Sequence, residues 1–449
     1  MHQKQKTTII GSGLAGSFLA VLLAQKGYSV DLYEKLSKQE ISDTNAKRSY
    51  NITFRTYGVD MFKKAGIWNE LKPYLFPLKG VSTQLSKDSQ PIFSPVNDKK
   101  LHYFSISRRD LLAVLLAKLS QNPSVTIHYE TSLISIDRYN KTFTVEDNKT
   151  KKMATLSCDV IVGADGANSL VRPFMQQGQH MQHSQEYSKG GYKQFTITKE
   201  EVETLQLQSN IAYTWSAKGK FILAFPNLDG SLAALLIYPE DKKAFEVLNS
   251  ANAIKQFIQN DFPILLPIQQ SLIEQLIESP VGMFVTIHTD PWYYKDFITI
   301  VGDAAHGFYP FFGQGASAAF GDCMQLVNLI DQYHTDWAKV FQRYQEMRKL
   351  HMDALGDLSR EALSRYMRNK RADYHAVYDA LMFAGHRLAP NYIQPPVFLP
   401  VMDDPEHTAD YVRKDTKQKK IAQWLGVSLL AKILTKMVAM QEAAMKLLK

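Results

Sequence analysis

Cysteine is scarce. The 449-residue chain holds two, Cys158 and Cys323, which form neither a CxxC pair nor a zinc spacing. That argues against a disulfide framework or a Cys-ligated metal site and points to a reducing cytoplasm. The opening MHQKQKTTII lacks the pattern of a secretory leader; its apolar run enters a Gly-rich turn instead. No window supplies about 20 uninterrupted apolar residues, so no membrane-spanning helix is expected. The nearest, Ile421–Met440, is broken by Lys432 and Lys436. It is expected to pack on the body, with a helix lying on a membrane surface as the alternative. Internal repeats, low-complexity blocks and a nucleophilic triad are also missing from the pattern. Charge is nearly balanced: 52 basic against 44 acidic residues leave +8. That excess permits an anionic cofactor or an anionic membrane without calling for nucleic acid. The late basic clusters Arg365–Arg371 and Arg413–Lys420 read as solvated helix faces.

What remains is ordinary globular composition, 45% hydrophobic and 21% charged, which excludes disorder and fibrous classes. At about 100–200 residues per domain, the length suggests two or three folded units, large enough to bury a core without staples.

Residues 7–33 read strand, turn, helix, strand: Thr7–Ile10, Gly11–Gly16, Phe18–Gln25 and Tyr28–Tyr33. This βαβ unit predicts a parallel sheet. The spacing predicts an amphipathic helix over Arg109–Ser120 and a strand over Val125–Tyr129. A small antiparallel ribbon follows over 131–137 and 141–147, then a buried strand, Asp159–Val162. Between 176 and 285 alternating runs predict a second, sheet-based unit: Gln194–Thr198, Ile211–Trp215, Lys220–Phe225 and Ser231–Ile237, then a helix Ala251–Asn260. Phe297–Val301 returns to a buried strand, a helix opens at Gly315, and 337–388 is mostly helical. Prolines from Pro390 to Pro405 predict a loop region, and 418–449 is helical again.

Gly11-Ser12-Gly13-Leu14-Ala15-Gly16 is a GxGxxG turn in its confirming context, after a strand and opening a helix. Gly11 permits the tight turn, Gly13 lets backbone approach a pyrophosphate, and Gly16 lets helix pack on strand. The phosphates then meet the free N–H groups of the helix N-terminus. Glu34 closes the second strand about 20 residues on, where a carboxylate accepts hydrogen bonds from ribose hydroxyls. A dinucleotide is implied; the turn alone leaves FAD and NAD(P) open.

Two further runs decide between them. Val162-Gly163-Ala164-Asp165-Gly166 with Val171-Arg172 resembles the DG motif of the class A flavin-dependent aromatic hydroxylases, and Val301-Gly302-Asp303-Ala304-Ala305-His306 resembles their GD motif. With the opening turn, all three occur in family order. The resemblance implies an α/β fold: a Rossmann-like FAD-binding domain of the p-hydroxybenzoate hydroxylase type, an inserted antiparallel-sheet substrate domain and a C-terminal helical region. The expected division is 1–175 with 286–335 for FAD, 176–285 for substrate with a contribution from 75–105, and 336–449 for the helices. Within the family, Tyr309-Pro310-Phe311-Phe312-Gly313-Gln314-Gly315, Phe320-Gly321-Asp322-Cys323, Arg48-Ser49-Tyr50-Asn51-Ile52 and Ser105-Ile106-Ser107-Arg108 are similar to the kynurenine 3-monooxygenase branch.

By that resemblance FAD meets Gly11, Gly13, Leu14, Ala15, Gly16, Glu34 and Lys35 at the adenine end. Arg48, Thr53, Arg108 and Leu133 lie along it, and Asp165, Gly166 and Arg172 serve FAD and NADPH from the DG motif. Gly302 and Asp303 serve the ribityl chain, and Pro310, Gly313, Gly315, Ala316 and Ser317 the ring. Two glycines let backbone approach the isoalloxazine, and the helix opening at Gly315 would stabilise negative charge on the reduced ring. His306 reads as a packed loop histidine, and no side chain is singled out as an acid or base.

The substrate end departs from the branch. An amino-acid carboxylate needs a cation, and the branch's Arg, Tyr and Asn positions fall near Val81, Pro95 or Val96, and Ala362. No Arg lies between Phe76 and Tyr103. L-Kynurenine is therefore expected not to be the preferred substrate, or to bind differently; a less charged aromatic or polyketide-like ligand is expected in a pocket lined by Phe311, Phe312, Phe225 and Trp215. The expected activity is NAD(P)H- and O2-dependent hydroxylation through a flavin C4a-hydroperoxide, with NADPH or NADH as a transient co-substrate. Two alternatives stay open: a flavin reductase or dehydrogenase on the same fold, and a flavoprotein whose basic C-terminal helices bind a partner or a membrane periphery.

Overall fold

The computed structural model describes residues 6–41, 51–96, 103–177, 180–238, 245–246, 248–334, 336–367 and 374–424. Arg48, residues 368–371 of the first basic cluster, and the helix expected beyond 424 lie outside them.

Two six-stranded sheets organise the chain. The first runs in the order Tyr293–Tyr294, Ile298–Ile300, Val160–Gly163, Lys6–Ile10, Ser29–Tyr33, Val125–His128, and only its outermost pair is antiparallel. Its central strands are buried on both faces beyond Lys6, Thr7 and Thr8 included, as parallel sheets require. Helices Leu14–Gln25, Arg108–Ser120 and Gly315–Tyr333 pack together beside it. The register matters most at one edge. Ile10 pairs with Gly163 and with Tyr33, and Gly163 pairs with Ile300. Four neighbouring parallel strands thus end level, and their carboxyl ends run into the Gly11–Gly16 turn, the DG motif, the GD motif and Glu34. Such an edge is where open parallel sheets bind ligands.

The second sheet runs Gly191–Ile197, Leu232–Tyr238, Lys220–Pro226, Ile211–Ala217, Gly80–Gln84, Ile92–Pro95. The last two strands come from far upstream, Gly80–Gln84 joining Ile211–Ala217 in parallel. Period-two alternation splits this sheet. Ile222, Ala224, Tyr213 and Trp215 face helices Ala251–Asp261 and Gln269–Glu278, while Phe221 and Ile237 face Phe284, Tyr309 and Leu363.

Several elements differ from expectation. The ribbon at 131–147 gains a third strand, Met153–Ser157, exposed along its length and so lacking a hydrophobic signal. Helices Thr56–Lys64 and Gln269–Glu278 were not foreseen, and the proline-rich stretch holds a short helix, Phe398–Asp403. The helix expected from 418 already begins at Thr408. Its basic face is partly paired, Arg413 with Asp410 and Lys419 with Asp415. Among the described residues no helix is long and apolar enough to cross a membrane.

Candidate active site

The glycines of the first turn divide by what a side chain would meet. At Gly16 an added Cβ would lie 2.0 Å from the Gly11 carbonyl oxygen, and at Gly11, where φ is +101°, 2.6 Å from that of Ala164. Both are packing glycines. At Gly13, Gly166 and Gly315 an added Cβ meets nothing within 4 Å. These three border open space along the edge where the motifs converge. Helices Leu14–Gln25 and Gly315–Tyr333 both open onto it without a side-chain cap, leaving first-turn N–H groups for an anionic ligand.

The other expected cofactor residues are placed as follows. Leu14 and Ala15 form the first turn of their helix. Glu34 accepts from the Ser12 amide at 2.8 Å, from Ser12 Oγ at 3.0 Å and from the Leu36 amide at 3.0 Å, so it pins the phosphate turn and keeps an acceptor site spare. Lys35 is exposed beside it. Gly302, at φ +59°, fits between Ala15 and Ala319, where a Cβ would stand 3.2 and 3.1 Å from theirs. Asp303 projects from that turn. It is open to solvent by area yet walled by protein, as on the floor of a cleft, and this enclosure pushes its carboxyl up against the pull of Arg108 and His306. Arg108, first residue of its helix, is thereby brought to Asp303. Gly313 adopts the left-handed conformation against Thr53, whose Oγ1 a Cβ would approach to 2.9 Å. Pro310 starts the 3-10 turn before it, and Ala316 and Ser317 form the first turn after it.

Three expected cofactor residues are held by the protein itself, although Asp165 keeps one buried oxygen, Oδ1, without a hydrogen-bond partner. Arg172 is buried and donates to the carbonyls of Ala304, at 3.0 Å, and Ala167, tying the DG loop to the GD loop. Asp165 Oδ2 accepts from the Leu170 and Val171 amides at 2.7 and 3.2 Å, and burial pushes its carboxyl up. Leu133 is buried in the core beside the first sheet. All three build the cleft's frame.

Next to the ring end lies a cavity of about 160 Å³, lined by Thr83, Thr214, Phe221, Leu223, Ile237, Phe284, Tyr309, Pro310, Phe311 and Leu363. None of these is charged. Of the four expected pocket aromatics, Phe311 lines it. Phe312 is buried against Phe311, edge to face at 5.2 Å, in the main core. Phe225 shares the face of Phe221 and Leu223 but lies beyond the lining. Trp215 points to the opposite face, stacked on Tyr213 at 5.3 Å under the covering helices. Strand alternation was legible; which face the helices cover was not. Val81 stands two residues before Thr83 and so on the cavity side of its strand.

Similarity to known proteins decides the class. The family model described as "FAD binding domain" matches residues 4–359. Kynurenine 3-monooxygenase of Legionella pneumophila (strain Corby) is 32% identical over 354 residues, 78% of each chain. That of Salinispora tropica is 29% identical over 437 residues, 95% of this chain and 94% of the other. The chain is a class A flavin-dependent aromatic hydroxylase. FAD is the hydroxylase's cofactor, and the three open glycines with two uncapped helix ends fit it. Solved structures share the fold: 2-methyl-3-hydroxypyridine-5-carboxylic acid oxygenase in its tetrameric form at TM-score 0.68, with 20% identity, covering 82% of this chain and 94% of that one. PqsL of Pseudomonas aeruginosa in complex with 2-aminobenzoylacetate follows at TM-score 0.65, with 17% identity, covering 82% and 98%.

One buried cluster of the hydroxylase escaped sequence reasoning. Asp322, His306 and Arg348 are all at most 2% exposed and bonded together beneath the GD turn. The signal in the sequence was Asp322 itself, the one carboxylate between Ala318 and Leu329, within the run Phe320-Gly321-Asp322-Cys323.

Proposed function

We propose that the hydroxylase uses NAD(P)H and O2 to hydroxylate a small, uncharged aromatic compound, and that L-kynurenine is not its preferred substrate. The reading rests on one observation: a largely apolar cavity, with no charged side chain in its lining among the described residues, opens beside the loop Tyr309–Phe311 that leads into the ring-binding helix. Bound FAD would accept hydride from NAD(P)H and activate O2 for transfer of one oxygen atom to the ring. The chain's residues do the rest. First-turn amides at Leu14 hold the pyrophosphate, and those at Gly315 hold negative charge on the ring. Arg108 and Asp303 bind along the connecting chain. Phe284, Phe311 and Leu363 exclude water and set the aromatic substrate against the ring edge. In this reading residues 1–175 and 286–335 hold FAD, 176–285 with part of 75–105 hold substrate, and 336–449 brace both.

An uncharged lining supports the substrate class because a carboxylate buried there without a partner would be strongly disfavoured. The test is a panel of phenols, anilines and aromatic acids, L-kynurenine among them, following NADPH loss, O2 uptake and product mass together. Uncharged ring compounds should stimulate oxidation and gain one oxygen. Tight binding and efficient hydroxylation of L-kynurenine would overturn the substrate claim. Oxidation of NADPH without any oxygenated product across the panel would favour a reductase instead.

A further inference from the structure

Asp322 is fully buried in the second turn of the helix Gly315–Tyr333. Its Oδ2 accepts from the Gly302 amide at 3.0 Å and stands 2.6 Å from His306 Nε2. Its Oδ1 accepts from Arg348 Nε at 2.8 Å. Arg348 donates onward to the Ala318 carbonyl at 3.0 Å and to Glu406 at 3.1 Å. Gly321 makes room for this: a Cβ there would lie 2.4 Å from Tyr57 Oη and 3.0 Å from Arg348 Nη2. Burying two charges costs several kcal/mol per ion, and well-packed apolar side chains would hold two helices together as well or better. Stability alone is therefore a poor reason for the cluster.

Its geometry supplies a better one. The carboxylate grips both ends of a single turn, Gly302 and His306, and the residue that turn presents to the cleft is Asp303. Gly302 sits at φ +59° at the start of a 3-10 turn whose backbone ties here are the Ala305 and His306 amides on its carbonyl, at 2.8 and 2.9 Å, and the Asp322 carboxylate adds the side-chain anchor. We propose that Asp322 is a positioning residue for FAD: it locks the Gly302–His306 turn so that Asp303 meets the cofactor, while Arg348 balances its charge. This rests on the reading that FAD lies in the cleft floored by Asp303. Asp322 itself faces the core and touches no ligand.

The test is FAD titration of apoprotein by flavin fluorescence, paired with thermal unfolding of the same apoprotein. Asp322→Asn keeps the size but loses the charge and one acceptor. It should raise the FAD Kd at least about tenfold, equal to about 1.4 kcal/mol. His306→Gln leaves the Asp322–Arg348 pair in place. It should raise the Kd several-fold with an apoprotein Tm close to wild type. A lowered Tm with unchanged FAD affinity in D322N would make the cluster merely structural and overturn the proposal. Should D322N fail to fold, an unchanged Kd in H306Q overturns it equally. A wild-type apoprotein that takes up no FAD sinks the cleft reading itself; wild type that binds, with variants that bind alike, sinks only the positioning role.

Discussion

Single residues near the cleft separate into those that face ligand and those that face protein, and the two groups should fail differently. Gly13→Ala places a methyl where no protein atom stands within 4 Å, so the apoprotein should unfold at its usual temperature while FAD affinity drops about tenfold or more. Gly16→Ala drives a methyl to 2.0 Å from the Gly11 carbonyl, so it should destabilise the fold by about 1–3 kcal/mol whether or not FAD is present. Differential scanning fluorimetry with and without FAD distinguishes them. The same contrast holds in the second sheet. Trp215→Ala removes a buried ring from beneath the covering helices and should cost about 3–5 kcal/mol, leaving the order of substrate preference unchanged. Phe311→Ala should instead raise KM for the aromatic substrate more than it lowers Tm. The first turn was legible at this scale because each glycine's role follows from its place between strand and helix. Trp215 was misread because a strand's alternation defines two faces without saying which one helices bury. Asp165 and Arg172 carried a motif resemblance; Arg172 also bonds the DG loop to the GD loop, and Asp165 bonds the Leu170 and Val171 amides of its own segment.

Elements carry a pH dependence of their own. His288, on the strand Val285–Asp290, pairs with Asp353 of the long helix Trp337–Met367 at 3.3 Å. Its hydrogen bond to Asp353 raises the imidazole above its usual value. Burial would raise the Asp353 carboxyl, but His288 and Lys349 outweigh that and hold it low. A raised histidine adds stability in full below its unfolded value near 6.5 and loses it as pH climbs through the folded value. A lowered aspartate adds stability above about 4 and loses it as pH falls further. The strap between strand and helix should therefore be tightest from about pH 4 to 6.5. Hydrogen exchange of the 285–290 amides, corrected for intrinsic rate, should show less protection at pH 8.5 than at pH 6, and His288→Asn should remove the difference. At this scale the parallel strands and the helix after Ser107 were readable from apolar runs and helical spacing. The strand Met153–Ser157 was not, since every residue in it is exposed. The cavity was not readable either: Thr83, Thr214, Tyr309 and Leu363 meet only through strand register and domain packing.

The whole molecule keeps both thiols out of reach. Cys158 and Cys323 are buried, and burial pushes the Cys158 thiol up to about 12 and the Cys323 thiol well above its usual value. Native protein should take up no iodoacetamide at pH 8, and two equivalents once unfolded, as counted by intact mass. FAD at about 100 times its Kd should stabilise the native state by about 2.7 kcal/mol, raising Tm by a few degrees. The strand order also dictates a sequence of events at synthesis. The second sheet has every strand it needs once Tyr238 has emerged, whereas the first waits for Ile298–Ile300 to seat against Val160–Gly163. The guest sheet can thus close while its host still shows a bare flank to the ribosome exit. Nascent chains stalled between these points should be the ones that chaperones hold and proteases cut.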